Sequence, residues 1–385
     1  MKKVCVALGS RANYASIKST MQSIKNSSNL QLQVVCFASA KSPKFGQLLQ
    51  NIRNDGFEID YEINSLLSND DLESMAESTG LALLRLPSVL GRLNPDFVIT
   101  VGDRFETMAT AIAAAYMNIC LVHTMGGEIT GSIDESIRHA ITKLSHIHFV
   151  ATAKSRENVI SLGEDSNFVF NTGCPRIDLA KKSLDISIDE LQAKCELYGE
   201  GSKIDFSKPF ILFSQHPVTT EFGSSGDQIY ESLQALDQID LPLVMLWPNS
   251  DAGSDSISKT IRTWQRNKKD SQIHFFRNLP PELYLRLMSL TSCLIGNSSS
   301  GLREGSFLGT PVINIGTRQI SRERHKNVYD CLPKKENIRV AIEFQLQHGK
   351  YSQSLLYGDG LAGEKMASIL SNTNIPSIQK ILKPQ

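Results

Sequence analysis

Short apolar runs alternate with amphipathic stretches of helix length along most of the chain. Runs such as Val4–Leu8 and Phe97–Val101 are continuous and rich in β-branched residues, which is typical of strands buried on both faces of a parallel sheet. Stretches such as Leu72–Leu93 instead repeat apolar residues with the period of a helix. Strands that alternate with helices in this way predict an α/β fold with parallel sheets.

The predicted strands fall into two groups, separated by a polar, helical stretch from Asp178 to Gly201 that holds no strand candidate. The first group is Val4–Leu8, Leu32–Phe37, Phe97–Val101, Ile119–His123, Ile147–Ala151 and Phe168–Asn171; the second is Pro209–Ser214, Leu243–Leu246, Ile273–Phe276, Cys293–Ile295 and Val312–Ile315. This pattern predicts two Rossmann-like domains around a cleft, at 1–185 and 186–355, and a C-terminal helix within 356–385 that packs back on the first domain. Ligands of such folds bind outside the carboxyl ends of the strands.

The composition is that of an ordinary folded chain, with 385 residues of which 41% are hydrophobic and 21% charged. The formal net charge of zero offers no general attraction to nucleic acid or to an anionic membrane, so we expect neither as a partner. No stretch approaches the roughly 20 apolar residues of a membrane span. Seven scattered cysteines without a CxxC pair indicate reduced thiols in a cytoplasmic protein and no zinc site.

The segment from Ser292 to Asn327 has the pattern of a phosphate site. The strand Cys293–Ile295 ends in a glycine and an asparagine, serines 298–300 follow, and a helix is predicted to begin near Leu302. Such a strand end directs backbone N–H groups and the positive end of a helix dipole at one point.

Two kinds of side chain near these serines favour a nucleoside diphosphate as the ligand. Glu304 suits hydrogen bonds from a ribose diol, and the next strand leads to Arg318, with Arg322 and Arg324 close behind. The alternative is a serine-rich loop that caps an ordinary helix, with arginines on a solvated turn.

Charged residues also follow two strands of the first group. Arg11 lies in a glycine turn at a predicted helix start, which suits an anion, although the turn lacks the GxGxxG pattern of a dinucleotide site. Asp103, next to Arg104, is either the N-cap of the following helix or a catalytic carboxylate, and the sequence leaves both open.

The segment His123–His139 is the richest in polar residues. Two glycines in it allow the backbone to approach a ligand closely. Glu128 and Asp134 flank the loop, and two carboxylates in a confined loop are what proton transfer at carbon requires. Asp134 and Arg138 also have the i,i+4 spacing of a simple surface ion pair.

Polar loops follow the strands of the second group as well. His216, held before a proline, is placed for a phosphate oxygen or a leaving group, and the alternative is a loop histidine satisfied by its neighbours. Asn249 lies in a polar glycine loop after the next strand. His146 and His148 lie in an apolar strand with no third ligand in view, so we predict core packing there and expect no metal.

Six of these segments together resemble the hydrolysing UDP-N-acetylglucosamine 2-epimerases, a bacterial family that supplies N-acetylmannosamine for sialic acids. The segments are GSRANY at 9–14, GDRFE at 102–106, GGEITGSIDESIRHAITKLSHIH at 126–148, HPVTTE at 216–221, PNSDAGSDSI at 248–257 and GNSSSGLREGSFLGTPVINIGTRQ at 296–319. The resemblance spans nearly the whole chain. It implies the two-domain fold of B-type glycosyltransferases, a UDP-sugar substrate, no cofactor, and a homo-oligomer that is a dimer or a tetramer.

The resemblance also implies where the nucleotide binds, mainly on the second domain. The residues implied for contacts with the nucleotide or the cleft are Arg11, Arg104, His216, Asn249, Ser298, Ser299, Glu304 and Arg318. The two serines would hold the diphosphate and Glu304 the ribose. Arg318 and His216 would contact the phosphates, and the two arginines of the first domain would approach the diphosphate.

In this family the nucleoside diphosphate is eliminated across C1 and C2 of the sugar to give a 2-acetamidoglycal, and water then adds with inverted configuration at C2. The reaction needs a base for the C2 proton, an acid on the opposite face, and cations for the departing UDP. Asp103 and Asp134 match the family's carboxylates and are predicted to transfer the protons, with Glu128 and His216 as further catalytic candidates.

The chain departs from the family pattern at three places in the first domain. Asn13 stands where an acidic residue usually follows Arg-Ala, and Met125 stands where many members carry a glutamate and some a histidine. Residues 38–41 replace a loop of glycine, methionine and histidine. These changes leave nucleotide binding better supported than the identity of the sugar.

Four functions remain open at this point. The first is a hydrolysing UDP-N-acetylglucosamine 2-epimerase. The second is the same chemistry on a modified sugar such as a 2,4-diacetamido-trideoxyhexose, which an apolar Met125 would tolerate better than a carboxylate would. The third is a UDP-sugar binding protein without turnover, and the fourth is a glycosyltransferase of the same fold. The retained Asp103, Asp134 and GTRQ loop at 316–319 speak against the last two.

Overall fold

A computed structural model describes residues 1–42, 47–67, 72–130, 133–218, 221, 223–248, 253–266, 272–277 and 279–381 of the chain. The chain divides into two compact units. The N-terminal unit takes its residues from 1–129, 133–178 and 358–385, and the C-terminal unit takes its residues from 130–132 and 179–357.

The strands and helices alternate along the chain. The strands are β1 (Lys2–Leu8), β2 (Leu30–Cys36), β3 (Tyr61–Glu62), β4 (Phe97–Val101), β5 (Cys120–Thr124), β6 (Ile147–Val150), β7 (Val169–Asn171), β8 (Gly199–Gly201), β9 (Ile211–Ser214), β10 (Leu243–Leu246), β11 (Ile273–Phe276), β12 (Cys293–Gly296), β13 (Val312–Ile315) and β14 (Val328–Cys331). The helices are α1 (Arg11–Ala15), α2 (Lys18–Lys25), α3 (Leu48–Asn54), α4 (Leu72–Leu93), α5 (Phe105–Tyr116), α6 (Ile133–Leu144), α7 (Ala153–Ser161), α8 (Pro175–Ser183), α9 (Ile188–Cys195), α10 (Ser225–Leu236), α11 (Ser254–Arg266), α12 (Pro281–Leu290), α13 (Ser299–Leu302), α14 (Glu304–Leu308), α15 (Lys335–His348) and α16 (Ala362–Asn372).

The sheet of the N-terminal unit is parallel throughout, in the order β3-β2-β1-β4-β5-β6-β7. Its central strand β4 is buried at every position, which explains its continuous apolar sequence. Strand order changes direction between β1 and β4, because the chain leaves β1 toward one edge and returns at β4 to build toward the other. The carboxyl ends of these two strands therefore mark the place where such sheets bind ligands.

The core of the N-terminal unit depends on the last helix of the chain. Helix α16 packs against α2, and its Met366 and Leu370 are fully buried in one cluster with Met21. At the end of α16, Lys2 Nζ donates to three backbone carbonyl oxygens, the nearest being that of Thr373 at 2.7 Å. Helix α16 and Lys2 thus complete the core of the N-terminal unit.

The sheet of the C-terminal unit has the order β14-β13-β12-β9-β10-β11-β8. Its strands are parallel except β8, which pairs antiparallel with β11. Here the direction of strand order changes between β9 and β12, so the ends of these two strands are the equivalent place for a ligand.

The predicted α/β fold with two Rossmann-like units is confirmed, and strands β4, β10, β11 and β13 have the predicted bounds. Strands β3, β8 and β14 were not predicted. The expectation that residues 178–201 hold no strand is wrong, because β8 begins at Gly199. Along the part of the chain that the structure describes, no helix combines the length and the apolar character needed to cross a membrane.

Candidate active site

An asparagine joins the two strand ends at which the N-terminal sheet changes direction. Asn13 is buried, with 3% of its side chain exposed. Its Oδ1 accepts from the N–H of Gly9 at 3.1 Å, at the end of β1, and its Nδ2 donates to the carbonyl of Val101 at 2.9 Å, at the end of β4. An ionised aspartate could accept the first bond but could not donate the second. The asparagine in place of the family's acid therefore has a structural role here.

The turn that replaces the family's loop after β2 also binds the end of β1. Residues Ala38–Lys41 form a 3₁₀ turn. The hydroxyl of Ser39 and the N–H of Ala40 both donate to the carbonyl of Gly9, at 3.0 and 2.9 Å. Asn13 and the turn at residues 38–41, two of the places where the chain departs from the family pattern, thus both bind the backbone of Gly9.

Cations surround the glycine turn after β1. Arg11, the first residue of α1, is exposed, and Arg104 Nε donates to the buried carboxylate of Glu106 at 3.0 Å. A Cβ on Gly9 would lie 2.2 Å from Cγ of Glu106, so only glycine fits beneath this side chain.

Asp103 is held by a buried arginine and does not cap a helix. Helix α5 begins at Phe105, and its N-cap residue is Arg104, so the N-cap interpretation of Asp103 is wrong. Arg138 Nε donates to Asp103 Oδ2 at 2.9 Å, and Arg138 Nη2 donates to the same oxygen. The side chain of Arg138 is 1% exposed, so the interpretation of Arg138 as part of a surface pair is wrong as well.

Arg138 also fixes the loop that carries Glu128. Its Nη1 donates to the carbonyl of Glu128, and Asn158 Nδ2 donates to the carbonyl of Gly127 at 2.8 Å. Gly127 has φ +76°, and a Cβ there would lie 2.2 Å from the carbonyl oxygen of Ser155, which explains the second glycine of the motif. Glu128 itself is buried, with 6% exposure.

Asp134 lies in the first turn of α6 and is half-buried. It precedes Arg138 by four residues, so both side chains lie on the same face of the helix. One turn of α6 therefore links Asp134 to the arginine that binds Asp103 and the Glu128 loop. All three residues predicted as catalytic carboxylates, Asp103, Glu128 and Asp134, are thus linked to the N-terminal half of this helix.

Met125 follows β5 in a left-handed backbone conformation with φ +65°, which is uncommon for a residue with a long side chain. Its N–H donates to the carbonyl of Phe149 at 2.8 Å, and its side chain is 8% exposed. Strained backbone that is held by its surroundings is often found at functional sites. The position at which the resemblance leads us to expect a glutamate or a histidine thus holds a buried apolar side chain.

His146 and His148 are buried in β6 and its approach. His148 Nε2 contacts Glu164 Oε2 at 3.1 Å. Burial alone would raise the pKa of Glu164, but hydrogen bonds from His148, Lys143 and Lys380 outweigh it and lower that pKa to about 2. In the ranges that the structure describes, no cluster of three acidic, histidine or cysteine side chains could hold a metal ion.

A second asparagine joins the strand ends at which the C-terminal sheet changes direction. Asn297 follows β12 and is 2% exposed. Its Oδ1 accepts from the N–H of His216 and its Nδ2 donates to the carbonyl of His216, both at 2.8 Å. The loop after β9 is thereby fixed to the serine loop after β12. His216 is 6% exposed, with Nε2 3.4 Å from the hydroxyl oxygen of Ser214.

The arginine loop after β13 meets the same asparagine. Arg318 Nη1 donates to the carbonyl of Asn297 at 3.4 Å, and Gln319 Nε2 donates to it at 3.2 Å. Arg324 binds Asp330 in β14 and the carbonyl of Gln319, so it ties the arginine loop to the neighbouring strand. His216, Ser298 and Arg318, predicted from three separate motifs, are thus brought together around Asn297.

The serine loop forms two short helices. A helix was predicted to begin near Leu302, but α13 begins at Ser299, with Ser298 as its N-cap, and α14 begins at Glu304. Ser298 and Ser299 are half-buried. Glu304 is fully buried, so its predicted contact with a ribose would require its surroundings to move. Asn249 lies outside the described residues.

Three residues that organise these sites were not predicted from the sequence: Asn13 and Asn297 as links between strand ends, and Arg138 as the partner of Asp103. All three lie inside motifs that the sequence analysis quoted. For Asn297 the available signal was its position directly after β12, since an amide there can both donate and accept.

Comparison with known proteins gives consistent matches over most of the chain. Residues 22–371 match the family model described as UDP-N-acetylglucosamine 2-epimerase. A GDP/UDP-N,N'-diacetylbacillosamine 2-epimerase (hydrolyzing) of Campylobacter jejuni is 34% identical over 332 residues, 86% of this chain and 84% of the relative. A UDP-N,N'-diacetylbacillosamine 2-epimerase (hydrolyzing) of Legionella pneumophila is 32% identical over 382 residues, 99% of this chain and 98% of the relative.

A UDP-N-acetylglucosamine 2-epimerase of Neisseria meningitidis is 27% identical over 375 residues, which cover 97% of this chain and 96% of the relative. The crystal structure of a Neisseria meningitidis UDP-GlcNAc 2-epimerase bound to UDP-GlcNAc has a TM-score of 0.81 at 20% identity, covering 96% of this chain and 100% of that one. These matches agree with the two Rossmann-like units.

Proposed function

Because the chain belongs to the UDP-N-acetylglucosamine 2-epimerase family, we propose that it is a hydrolysing 2-epimerase of a UDP-linked 2-acetamido sugar. One observation carries the proposal. Arg138 joins the carboxylate of Asp103 to the backbone of Glu128, and Asp134 lies one turn earlier on the same helix. Proton transfer to and from a carbon atom needs carboxylates gathered and oriented in this way.

The reaction proceeds in two steps. A base removes the C2 proton, the electrons of that bond form the C1=C2 bond, and the C1–O bond breaks to release UDP. Water then adds its oxygen to C1, while an acid delivers a proton to the face of C2 opposite the one that lost it. Asp103, which two hydrogen bonds from Arg138 hold in a fixed orientation, takes the role of the base. Asp134 takes the role of the acid.

The C-terminal unit would hold the nucleotide. Its proposed contacts come from the half-buried serines 298 and 299 and from Arg318, which share the scaffold of Asn297 with His216. Cationic and N–H donors at a helix start suit a diphosphate, and they also stabilise the charge that develops on it as it leaves. Glu304 would bind the ribose hydroxyls once the groups that bury it move aside.

For the sugar we propose a 2,4-diacetamido-2,4,6-trideoxyhexose, the UDP-N,N'-diacetylbacillosamine type. Two relatives that are 34% and 32% identical carry that substrate in their names. The buried apolar Met125 supports it, because the methyl group at C6 and the methyl group of a second acetamido group can pack against an apolar side chain, whereas hydroxyl groups there would lose hydrogen bonds. The second candidate is UDP-N-acetylglucosamine, with N-acetylmannosamine as product, which the name of the Neisseria relative favours.

The test is to incubate the purified protein with UDP-N,N'-diacetylbacillosamine, its GDP analogue and UDP-N-acetylglucosamine, and to follow each by NMR. We expect free nucleoside diphosphate together with a free sugar inverted at C2. Binding without any product would favour a nucleotide-sugar binding protein, and transfer of the sugar to an added acceptor would favour a glycosyltransferase.

Replacing Arg318 with Ala should weaken UDP binding about ten- to a hundredfold, because a charge-assisted hydrogen bond worth roughly 1.5–3 kcal/mol is lost. Isothermal titration calorimetry measures this directly. Arg277→Ala is the matched control, since Arg277 is an exposed arginine of the same unit, 3.5 Å from Glu200. Equal UDP affinity in both variants would contradict the placement of the diphosphate at Arg318.

Replacing Met125 with Ala should reduce the preference for the diacetamido sugar over UDP-N-acetylglucosamine about tenfold, since a lost apolar contact in a substrate pocket changes discrimination by roughly 10–200-fold. The measurement is the ratio of kcat/KM for the two substrates. Met125→Leu keeps the apolar volume and should retain most of the preference. If the ratio is unchanged in Met125→Ala, this side chain does not select the sugar.

A further inference from the structure

His123 is a fully buried histidine that the proposed reaction does not use. It is the fourth residue of β5, and its side chain has no exposed surface. Its Nε2 lies 3.0 Å from the carbonyl oxygen of Gly102, and its Nδ1 lies 3.2 Å from the hydroxyl oxygen of Thr142 on α6. A carbonyl can only accept, so Nε2 must carry the proton. Nδ1 is then the acceptor, and the hydroxyl of Thr142 donates to it.

The environment keeps this imidazole neutral. Burial is the main cause that lowers the pKa of His123, to about 3, and it outweighs the hydrogen bond to Gly102. His123 therefore does not change its charge near neutral pH, which argues against a part in proton transfer and for a fixed hydrogen-bonding role.

The first glycine of the motif after β5 makes room for this hydrogen bond. A Cβ on Gly126 would lie 3.0 Å from His123 Nδ1 and 3.1 Å from Thr142 Oγ1. Both distances are shorter than ordinary contacts of a methyl group, and both atoms belong to the same hydrogen bond. The methyl group of an alanine at position 126 would therefore force apart the two atoms of the hydrogen bond between Thr142 and His123.

The hydrogen bond from His123 acts on a flexible point of the backbone. Gly102 has φ +76° and immediately precedes Asp103. Glycine has little preference of its own for one orientation, so the bond to its carbonyl determines how the peptide plane before Asp103 lies. The carboxylate of Asp103 is held separately by Arg138, which belongs to the same helix as Thr142.

We propose that Thr142, His123 and Gly126 form a positioning unit that fixes the Gly102–Asp103 peptide to helix α6. Helix α6 then holds Asp103 at two points, through Arg138 on its side chain and through His123 on its backbone. The kinetic consequence rests on the proposed 2-epimerase function, whereas the hydrogen-bond arrangement does not.

The first test examines the arrangement without turnover. In protein labelled with ¹⁵N-histidine, His123 is identified by the loss of its signals in His123→Gln. We expect a neutral ring with the proton on Nε2 from pH 5 to 9. In protein labelled with ¹³C-aspartate, Thr142→Val should move the Asp103 carboxylate signal, which Asp103→Asn identifies. A proton on Nδ1, or an unmoved Asp103 signal, would overturn the proposal whether or not the protein turns over a sugar.

The second test is kinetic and uses the preferred nucleotide sugar. Thr142→Val has nearly the shape of threonine but cannot donate, and it should lower kcat about tenfold, an effect typical of one lost hydrogen bond, with KM within about twofold. The isotope effect with substrate deuterated at C2 should increase, because a misplaced Asp103 slows proton removal. Gly126→Ala should act in the same direction, and Thr142→Ser should restore kcat.

A control separates positioning from stability. Thr20→Val replaces another fully buried threonine of the same unit, whose hydroxyl contacts the sulfur of Met366. It reports the cost of burying a valine in place of a threonine without touching α6. If Thr20→Val and Thr142→Val lower kcat equally and leave the isotope effect unchanged, the role of Thr142 is structural only. If no nucleotide sugar is turned over by the unaltered protein, the proposed function fails and the NMR test still decides this inference.

Discussion

Replacing Asp103 with Asn should reduce turnover of the nucleotide sugar at least about a hundredfold, the loss typical of removing a general acid or base. Binding of UDP should change little, since Asp103 is not among the proposed nucleotide contacts. The variant should also be less stable by about 1–3 kcal/mol, because the buried Arg138 loses charge-assisted hydrogen bonds. Steady-state kinetics, calorimetry with UDP and denaturant unfolding measure the three effects.

The stability effect separates Asp103 from an ordinary surface carboxylate. Glu62→Gln in the same unit breaks the ion pair between Glu62 and Arg53, whose side chains are 28% and 48% exposed. Exposed ion pairs of this kind contribute about 0–1 kcal/mol to the free energy of unfolding. We expect this control to keep both turnover and stability. Turnover near the wild-type rate in Asp103→Asn would show that the Arg138 contact serves the fold alone.

Replacing Asp134 with Asn should abolish both steady-state release of UDP and exchange of the hydrogen at C2, because a glycal that cannot be protonated at C2 keeps the site occupied after the first elimination. In D₂O the unaltered protein should release sugar that carries deuterium at C2, because the C2–H bond is broken and remade from solvent. Loss of one of the two proton-transfer groups should lower both signals at least about a hundredfold. Proton NMR of the sugar and detection of free UDP follow them in one sample.

The neighbouring Glu135 is a closely matched control. It lies in the same first turn of α6, and its carboxylate is 3.6 Å from His139. Glu135→Gln removes the same charge from the same helix end, so both variants lose the same favourable interaction with the helix dipole. We expect Glu135→Gln to turn over normally. Sugar released with its original C2 configuration and without deuterium would exclude 2-epimerisation and favour hydrolysis at C1.

The central strands could be predicted from the sequence because burial on both faces gives a continuous apolar run. The three strands that were missed are all short or at an edge. β3 has only two residues, and β14 is partly exposed. β8 is the segment Gly199-Glu200-Gly201, and a Cβ on Gly199 would lie 1.9 Å from His274 Nε2. Gly199 is required by the side chain of His274 on the neighbouring strand. Hydrophobic periodicity along one segment cannot reveal such a contact with another segment.

Part of the candidate site could be proposed from the sequence for a similar reason. Parallel strands bring their carboxyl ends to one edge, so Asp103, His216 and Ser298 could be found as polar residues directly after apolar runs. What holds them could not be found in this way. Asn297 bonds to backbone atoms 81 residues away in sequence, and Arg138 reaches an aspartate 35 residues away. Spacing within a motif carries no information on partners that distant.

The dependence of the N-terminal unit on α16 has a consequence for biosynthesis. Met366 and Leu370 belong to the core of this unit, yet they leave the ribosome only after residues 179–357. The C-terminal unit has its own core within residues 179–357, which emerge earlier as one continuous stretch. Domains generally fold in the order of synthesis, but here the first domain to emerge must wait with part of its apolar surface uncovered. The unit that carries Asp103 and Asp134 is thus completed after the unit that carries Ser298 and Arg318.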